Sequence, residues 1–398
     1  MLTHLTKTVP SFWWAPDYDI LPTEPTFGVR ALFFEGREYR KKPTRVFAYY
    51  GVPAHREGER LPAVILVHGG CGTAFDVWVK QWCDRGYAAL ALDVMGRFPS
   101  DNAKGISWRE ARPELTAAVR CRRDEGDWIS PPPNDEAMSR GPLEEMWLYH
   151  AISAVISAHS LLLSFPEIDP ARTGIMGASW GGVLASHAIA YDRRFAFAIP
   201  VYGSPFLATG DSKINRTYRN YEIDRFFDAQ KGLDTIPFPI LWQCHDSDCN
   251  FSIDVNTRAY LATRHAGAVL TIANMGHSHS AAAAREEPFV FADCAVGRGP
   301  GLACRILSEP QGGGEVSFRL AIGKGAEGLC AVCHYLDTPM SFDETGKYAY
   351  TWRHLPTRLE GDIVSFTLPP EAMSYYVSVS WRQDGKALAI STCYTTVR

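Results

Sequence analysis

Apolar residues come in continuous runs before about residue 297 and alternate with polar ones after it. Residues 62–67 and 86–93 are nearly unbroken apolar stretches of strand length, as expected of strands covered on both faces. Between them, residues 74–85 space Phe75, Val77, Trp78, Val79 and Trp82 in a helical pattern, so strand, helix and strand make a right-handed parallel unit. Runs at 173–176, 195–202, 239–244 and 268–273 predict further strands. Residues 147–164, the stretch after Gly182, and 281–291 predict helices, the last closing the domain. Residues 1–60 read as an irregular arm feeding edge strands such as 44–50. Residues 96–142 break the pattern with Pro131-Pro132-Pro133, many charges, Trp108 and Trp128, and read as a lid or pocket wall inserted into a catalytic domain spanning 61–296.

Beyond the glycine-rich residues 297–301, segments 316–322, 348–352, 363–368 and 375–381 alternate and are separated by glycine, proline and aspartate turns. That pattern predicts an all-β sandwich over 297–398. The expected fold class is α/β, a mostly parallel doubly wound sheet followed by this small β domain.

The candidate chemistry sits where strand 173–176 meets the next helix, in Gly177-Ala178-Ser179-Trp180-Gly181. A G-x-S-x-G sequence between a strand and a helix is a nucleophile elbow: the glycines let strand and helix approach, and the serine is thrust out at the helix N-terminus. A serine hydroxyl needs a base, and the base needs an acid to orient it. In the chain order of such sites the acid comes next and the histidine last, each after a strand's C-terminal end. The strand ending at Cys244 runs into His245-Asp246-Ser247-Asp248, and the strand ending at Ala273 runs into Asn274-Met275-Gly276-His277-Ser278-His279. Spacing leaves both Asp246 and Asp248 open as the acid and both His277 and His279 open as the base. Oxyanion donors are expected at the Trp180 N–H and at Gly70 or Cys71 in the turn His68-Gly69-Gly70-Cys71-Gly72. His68 reads as a structural histidine packing that turn, and Trp180, Trp108 and Trp128 are aromatic candidates for stacking on a substrate ring.

A formal charge of −4 and a pI near 6.3 give no electrostatic case for nucleic acid or an anionic membrane. No apolar run is long enough to span a bilayer. The first residues lack a basic region followed by an apolar stretch, so the expectation is a cytoplasmic protein, or a secreted or periplasmic one from which a leader was removed. Ten scattered cysteines read as reduced thiols. Cys330 and Cys333 lie in a strand-like segment with no second pair to complete a zinc site, so no metal and no cofactor is expected.

Residues 68–93, 146–182 and 191–207 resemble the dienelactone-hydrolase-like and acetylxylan-esterase-like branch of the α/β hydrolases, and the resemblance covers most of residues 60–290. It implies an α/β-hydrolase fold and a carbohydrate esterase, in some members with a C-terminal immunoglobulin-like β domain. The branch's N-D-x-x-F-P-x-D segment lays its catalytic aspartate on Asp248, with Ser252 where the pattern has proline. Its M-P-H-G-H segment lays the base on His277, with His279 as the alternative. Dienelactone hydrolases proper carry a cysteine nucleophile where this chain has Ser179. The resulting expectation is a serine carboxylic-ester hydrolase acting through an acyl-enzyme on a small-molecule or oligosaccharide ester. A prolyl-oligopeptidase-like peptidase is the alternative within the fold, though only about 60 residues precede the strand that leads into His68, too few for a propeller. A catalytically silent binding protein is the alternative outside it. Carbohydrate binding, packing against the inserted segment and dimerisation into a homo-oligomer are the roles open to the β domain.

Overall fold

The structure is a computed structural model and describes residues 2–21, 28–108, 120–124, 142–219 and 232–397. The chain divides into two compact units, one comprising Met1–Pro205 with Tyr221–Phe238, the other Phe206–Asn220 with Pro239–Arg398.

In the first unit, β1 (Phe12–Trp14), β2 (Arg30–Glu35) and β3 (Arg45–Gly51) form an antiparallel edge, and β4 (Leu61–Val67), α1 (Asp76–Cys83) and β5 (Ala88–Leu92) make the expected parallel crossover. β6 (Arg97–Pro99) and β7 (Cys121–Arg123) pair as a short antiparallel ribbon within the inserted segment, whose residues 109–119 and 125–141, Trp128 among them, lie outside the described residues. Next come α2 (Trp147–Leu162), β8 (Ile168–Ala178), α3 (Trp180–Tyr191) and β9 (Phe197–Val201). These strands run in the order β1-β2-β3-β5-β4-β8-β9, parallel from β5 onward. Every residue of β4 and α2 is buried, which accounts for apolar runs without a polar face. The register sets Val67 opposite both Leu92 and Gly177, so the turn after β4 and the turn after β8 emerge at the same end of the sheet.

The second unit carries α4 (Lys213–Tyr218), then β10 (Leu241–His245), α5 (Ile253–Thr263) and β11 (Val269–Ala273), with His245 level with Ala273 in a parallel pair. The closing helix expected over 281–291 is instead two, α6 (His279–Ala283) and α7 (Glu287–Ala295). Pro288 explains the break: it has no N–H to continue a helix but fits the first turn of a new one.

The remaining strands are β12 (Cys304–Ile306), β13 (Glu315–Ile322), β14 (Glu327–Leu336), β15 (Arg353–Pro356), β16 (Arg358–Glu360), β17 (Ile363–Thr367), β18 (Ser374–Gln383), β19 (Lys386–Ser391) and β20 (Thr395–Thr396). They form two antiparallel sheets, β12-β13-β17-β16 and β15-β14-β18-β19, with β20 beside β18. Alternate residues such as Val316, Phe318 and Leu320 of β13 and Val377, Val379 and Trp381 of β18 fill a shared core. Residues 348–352, expected as a strand, are a loop apart from an isolated antiparallel bridge between Tyr348 and Phe342; their alternation places aromatic rings. β19 covers β11: Thr271 Oγ1 donates to the Ala389 carbonyl at 3.0 Å and the Ile272 N–H to Ser391 Oγ at 3.1 Å. An edge strand with unpaired backbone invites non-native pairing, and β19 removes that exposure.

All ten cysteines are free. Cys330 and Cys333 fall three positions apart on β14 and so on opposite faces, Cys330 exposed and Cys333 buried, where burial pushes its thiol up to about 12. No helix among the described residues is long and apolar enough to cross a membrane.

Candidate active site

Ser179 separates β8 from α3 with φ 57° and ψ −121°, a backbone conformation an L-residue adopts only under strain. Its neighbours show why glycine is required around it. A Cβ on Gly177 would lie 2.1 Å from the Gly181 carbonyl oxygen, one on Gly181 would lie 2.0 Å from the Val67 carbonyl oxygen, and one on Gly203 would lie 2.1 Å from the Ser179 carbonyl oxygen. The Ser179 N–H is tied to the Val201 carbonyl at 2.9 Å, and the Ser179 carbonyl accepts from the Val183 N–H at 3.1 Å as α3 begins. Backbone is thus held on both sides of the serine by β9 and α3.

The turn after β4 packs on the elbow: a Cβ on Gly70 would stand 3.1 Å from Trp180 Cδ1. Cys71 next to it has φ 60° and is exposed. His68 is buried beneath the turn; its Nδ1–H donates to the Gly69 carbonyl at 2.7 Å and its Nε2 accepts the Val94 N–H at 3.0 Å. Both ring nitrogens are therefore occupied by the backbone, which agrees with a structural histidine. Trp180 stands edge-on to Trp147 at 5.5 Å. Half-buried Trp108 packs edge-on against Phe75 at 5.1 Å, with Arg120 stacked over it at 4.3 Å.

In the second unit, His277 and Asp248 meet. His277 Nδ1–H donates to Asp248 Oδ2 at 2.7 Å, while the N–H groups of Asn250 and Phe251 donate to Asp248 Oδ1 at 2.7 and 3.1 Å. Asp248 is buried, and the Phe251 ring lies nearly parallel to the imidazole, 6.3 Å away. A carboxylate can only accept, so this bond puts the proton on Nδ1 and leaves the Nε2 lone pair as the basic position. Ser252, where the family pattern has proline, is the buried residue preceding α5.

Asp246 is held elsewhere. Trp352 Nε1 donates to its carbonyl at 3.0 Å and the Tyr350 hydroxyl to the same carbonyl at 3.4 Å. The Tyr376 hydroxyl reaches Asp246 Oδ2 at 3.4 Å, and His245 Nδ1 stands 3.3 Å from Oδ1. Burial opposes a charge on His245, but the carboxylates of Asp246 and Asp248 outweigh it and raise its pKa. His279 opens α6, and Ser278 Oγ caps that helix by accepting the Ala281 N–H at 3.1 Å.

Behind the elbow lies a relay that sequence spacing did not disclose. Thr173 Oγ1 donates to His159 Nε2 and His159 Nδ1 to Asp192 Oδ2, each at 2.8 Å, with the His159 ring stacked 3.8 Å from Phe195. Burial alone would raise the Asp192 carboxyl; hydrogen bonds from Arg194 and His159 outweigh it and hold it well below the usual carboxylate range. Thr173, His159 and Asp192 have essentially no exposure, so this hydroxyl–imidazole–carboxylate series has no access to a substrate and braces β8 against α2. Its members come from three separated elements and carry no shared motif. Among the described residues no group of three or more His, Cys, Asp or Glu side chains could hold a metal ion.

A family model described as acetyl xylan esterase (AXE1) matches residues 24–235, just over half the chain. Among solved structures, the acetyl xylan esterase from Paenibacillus sp. R4 is similar over 70% of this chain and 87% of its own at 20% identity, with a TM-score of 0.48. Acetyl xylan esterase 1 from Thermoanaerobacterium sp. JW/SL YS485 matches the same shares, 70% and 87%, at 17% identity and a TM-score of 0.48. A puromycin-hydrolyzing peptidase of Mycobacterium tuberculosis matches over 70% of this chain and 41% of its own at 19% identity, with a TM-score of 0.49. No curated protein matches the chain.

Proposed function

The chain belongs to the acetyl xylan esterase (AXE1) family and is thus a carboxylic ester hydrolase, and on that premise we propose that it removes short acyl groups from a carbohydrate or similar polar alcohol with Ser179 as nucleophile, His277 as base and Asp248 as its orienting acid. The observation that carries this reading is the backbone of Ser179, strained at φ 57° between glycines whose positions admit no side chain. Strain of this kind persists only where surrounding structure enforces it, and here it serves to present a hydroxyl. The Asp248–His277 hydrogen bond supports His277 over His279 and Asp248 over Asp246.

His277 Nε2 takes the Ser179 proton as Oγ attacks the ester carbonyl. The tetrahedral oxyanion is stabilised by the Trp180 N–H and by an N–H of Gly70 or Cys71. His277 then gives its proton to the leaving alcohol, and the acyl-serine forms. Water, deprotonated by the same imidazole, attacks the acyl carbon; collapse releases the carboxylic acid and returns the proton to Ser179. Asp248 stabilises the imidazolium in both halves.

A p-nitrophenyl ester series from acetate to octanoate, run with wild type and Ser179→Ala, tests the reading. Acetate should be the best substrate, and the variant should lose at least about 10³-fold in kcat, as removal of a serine nucleophile does elsewhere. Turnover unchanged in Ser179→Ala would overturn it.

A further inference from the structure

A cavity of about 620 Å³ opens in the second unit between the loops that carry Asp248 and His277 and the β15–β18 region of the β sandwich. That size lies within the roughly 300–1,000 Å³ of ordinary small-molecule sites. One wall is aromatic: Tyr348 is 49% exposed, Trp352 is half-buried, and Tyr376 is buried behind them. The other is polar, with Ser247, Asn274 and Arg285. Ser247 is the residue before Asp248, and Asn274 follows β11 three positions before His277.

The charges in this wall are already answered. Arg285 Nε donates to the buried Glu287 at 3.0 Å, and Asp246 faces His245 and Tyr376. Burial, reinforced by repulsion from His354, pushes His334 down to about 4, so it is neutral near pH 7. A charged ligand gains little from such a surface, and an apolar one would desolvate Asn274, Ser247 and Arg285 without replacing their hydrogen bonds. The ligand that suits both walls is neutral, with a flat apolar face and a rim of hydroxyls.

We propose that this cavity is a glycan subsite, in which Tyr348 and Trp352 stack on a pyranose ring and Asn274, Ser247 and Arg285 hydrogen-bond its hydroxyls, holding sugar units that neighbour the ester-bearing one. The inference rests on the esterase reading for its connection to turnover, but binding itself is measured without turnover. The β sandwich thereby acts as part of the substrate platform.

The test is isothermal titration of the full chain carrying Ser179→Ala with unacetylated xylotetraose and, separately, cellotetraose. Saturable binding to at least one is expected, weakened at least tenfold by adding Tyr348→Ala and retained with Tyr348→Phe, which keeps the ring. Melting temperatures of the variants check that each is folded. No binding of either tetrasaccharide, or equal binding in Tyr348→Ala, would overturn the subsite. Binding as expected, alongside a wild type inert toward p-nitrophenyl acetate, would support the subsite and overturn the esterase reading instead.

Discussion

At Ser179 a stability cost coincides with the chemical use proposed for its hydroxyl. A φ of 57° with ψ −121° costs an L-residue about 1–3 kcal/mol, whereas glycine adopts it freely. Ser179→Ala and Ser179→Gly both remove the hydroxyl, but only the second relieves the backbone. The glycine variant should therefore melt above the alanine variant by the strain less about 0.5–1 kcal/mol of added unfolded-chain entropy, a few degrees at most. A glycine variant that melts below the alanine variant in differential scanning calorimetry, by that entropy of about 0.5–1 kcal/mol alone, would mean that the elbow stores no strain. The proposed acid and base show the other side of residue-scale reading. Asp246 and Asp248, like His277 and His279, differ by two positions and are chemically equivalent on paper; folding turns Asp248 onto His277 and Asp246 toward Trp352, Tyr350 and Tyr376.

At the scale of elements, β14, β15 and β18 build a small pH-sensitive contact. His334 Nε2 accepts from Ser378 Oγ at 2.7 Å, its Nδ1 meets His354 Nδ1 at 3.0 Å, and its ring stacks on Tyr376 at 4.5 Å. Burial first, then the neighbouring His354, lowers its pKa to about 4, against the weaker pull of Asp246. The sign follows by linkage. Below about pH 6.5 the unfolded chain binds a proton that folded His334 refuses, so stability falls as pH drops from there to about 4 and loses nothing further from this group below that. The wild type should melt lower at pH 5 than at pH 7, and His334→Gln, which keeps hydrogen-bonding capacity without titrating, should narrow the gap. An unchanged gap would remove His334 from the account.

Across the whole molecule, the division into compact units puts β10 and β11 with the β sandwich, the arrangement to expect when β19 covers β11 and sandwich side chains grip the loop that carries Asp246 and Asp248. Trp352 is the test of that grip. Trp352→Phe keeps the ring but removes the hydrogen bond to the Asp246 carbonyl, two residues before Asp248. Small displacements of a catalytic group are costly, and a shift well short of 1 Å should lower kcat on p-nitrophenyl acetate by about threefold to tenfold with KM little changed. An unaltered kcat would show that the sandwich does not position the proposed acid, Asp248.

What was legible in the sequence was local or periodic. Gly177, Ser179 and Gly181 are readable because the tight strand-to-helix approach excludes side chains at those spacings, and continuous apolar runs such as β4 are readable because burial on both faces leaves no polar position. The order of the proposed serine, acid and histidine follows from strand order along the chain. Helix α7 was blurred into its neighbour by weak apolar periodicity, although Pro288 marked its start. Tertiary structure alone decided the rest. Alternation at 348–352 serves equally for a strand or for a loop that points rings into a cavity, and packing against Asp246 chose the loop. The Thr173–His159–Asp192 relay joins residues from separate elements, and Asp248 differs from Asp246 only through the partners that folding brings to each, because hydrogen bonding is set by position in space and not along the chain.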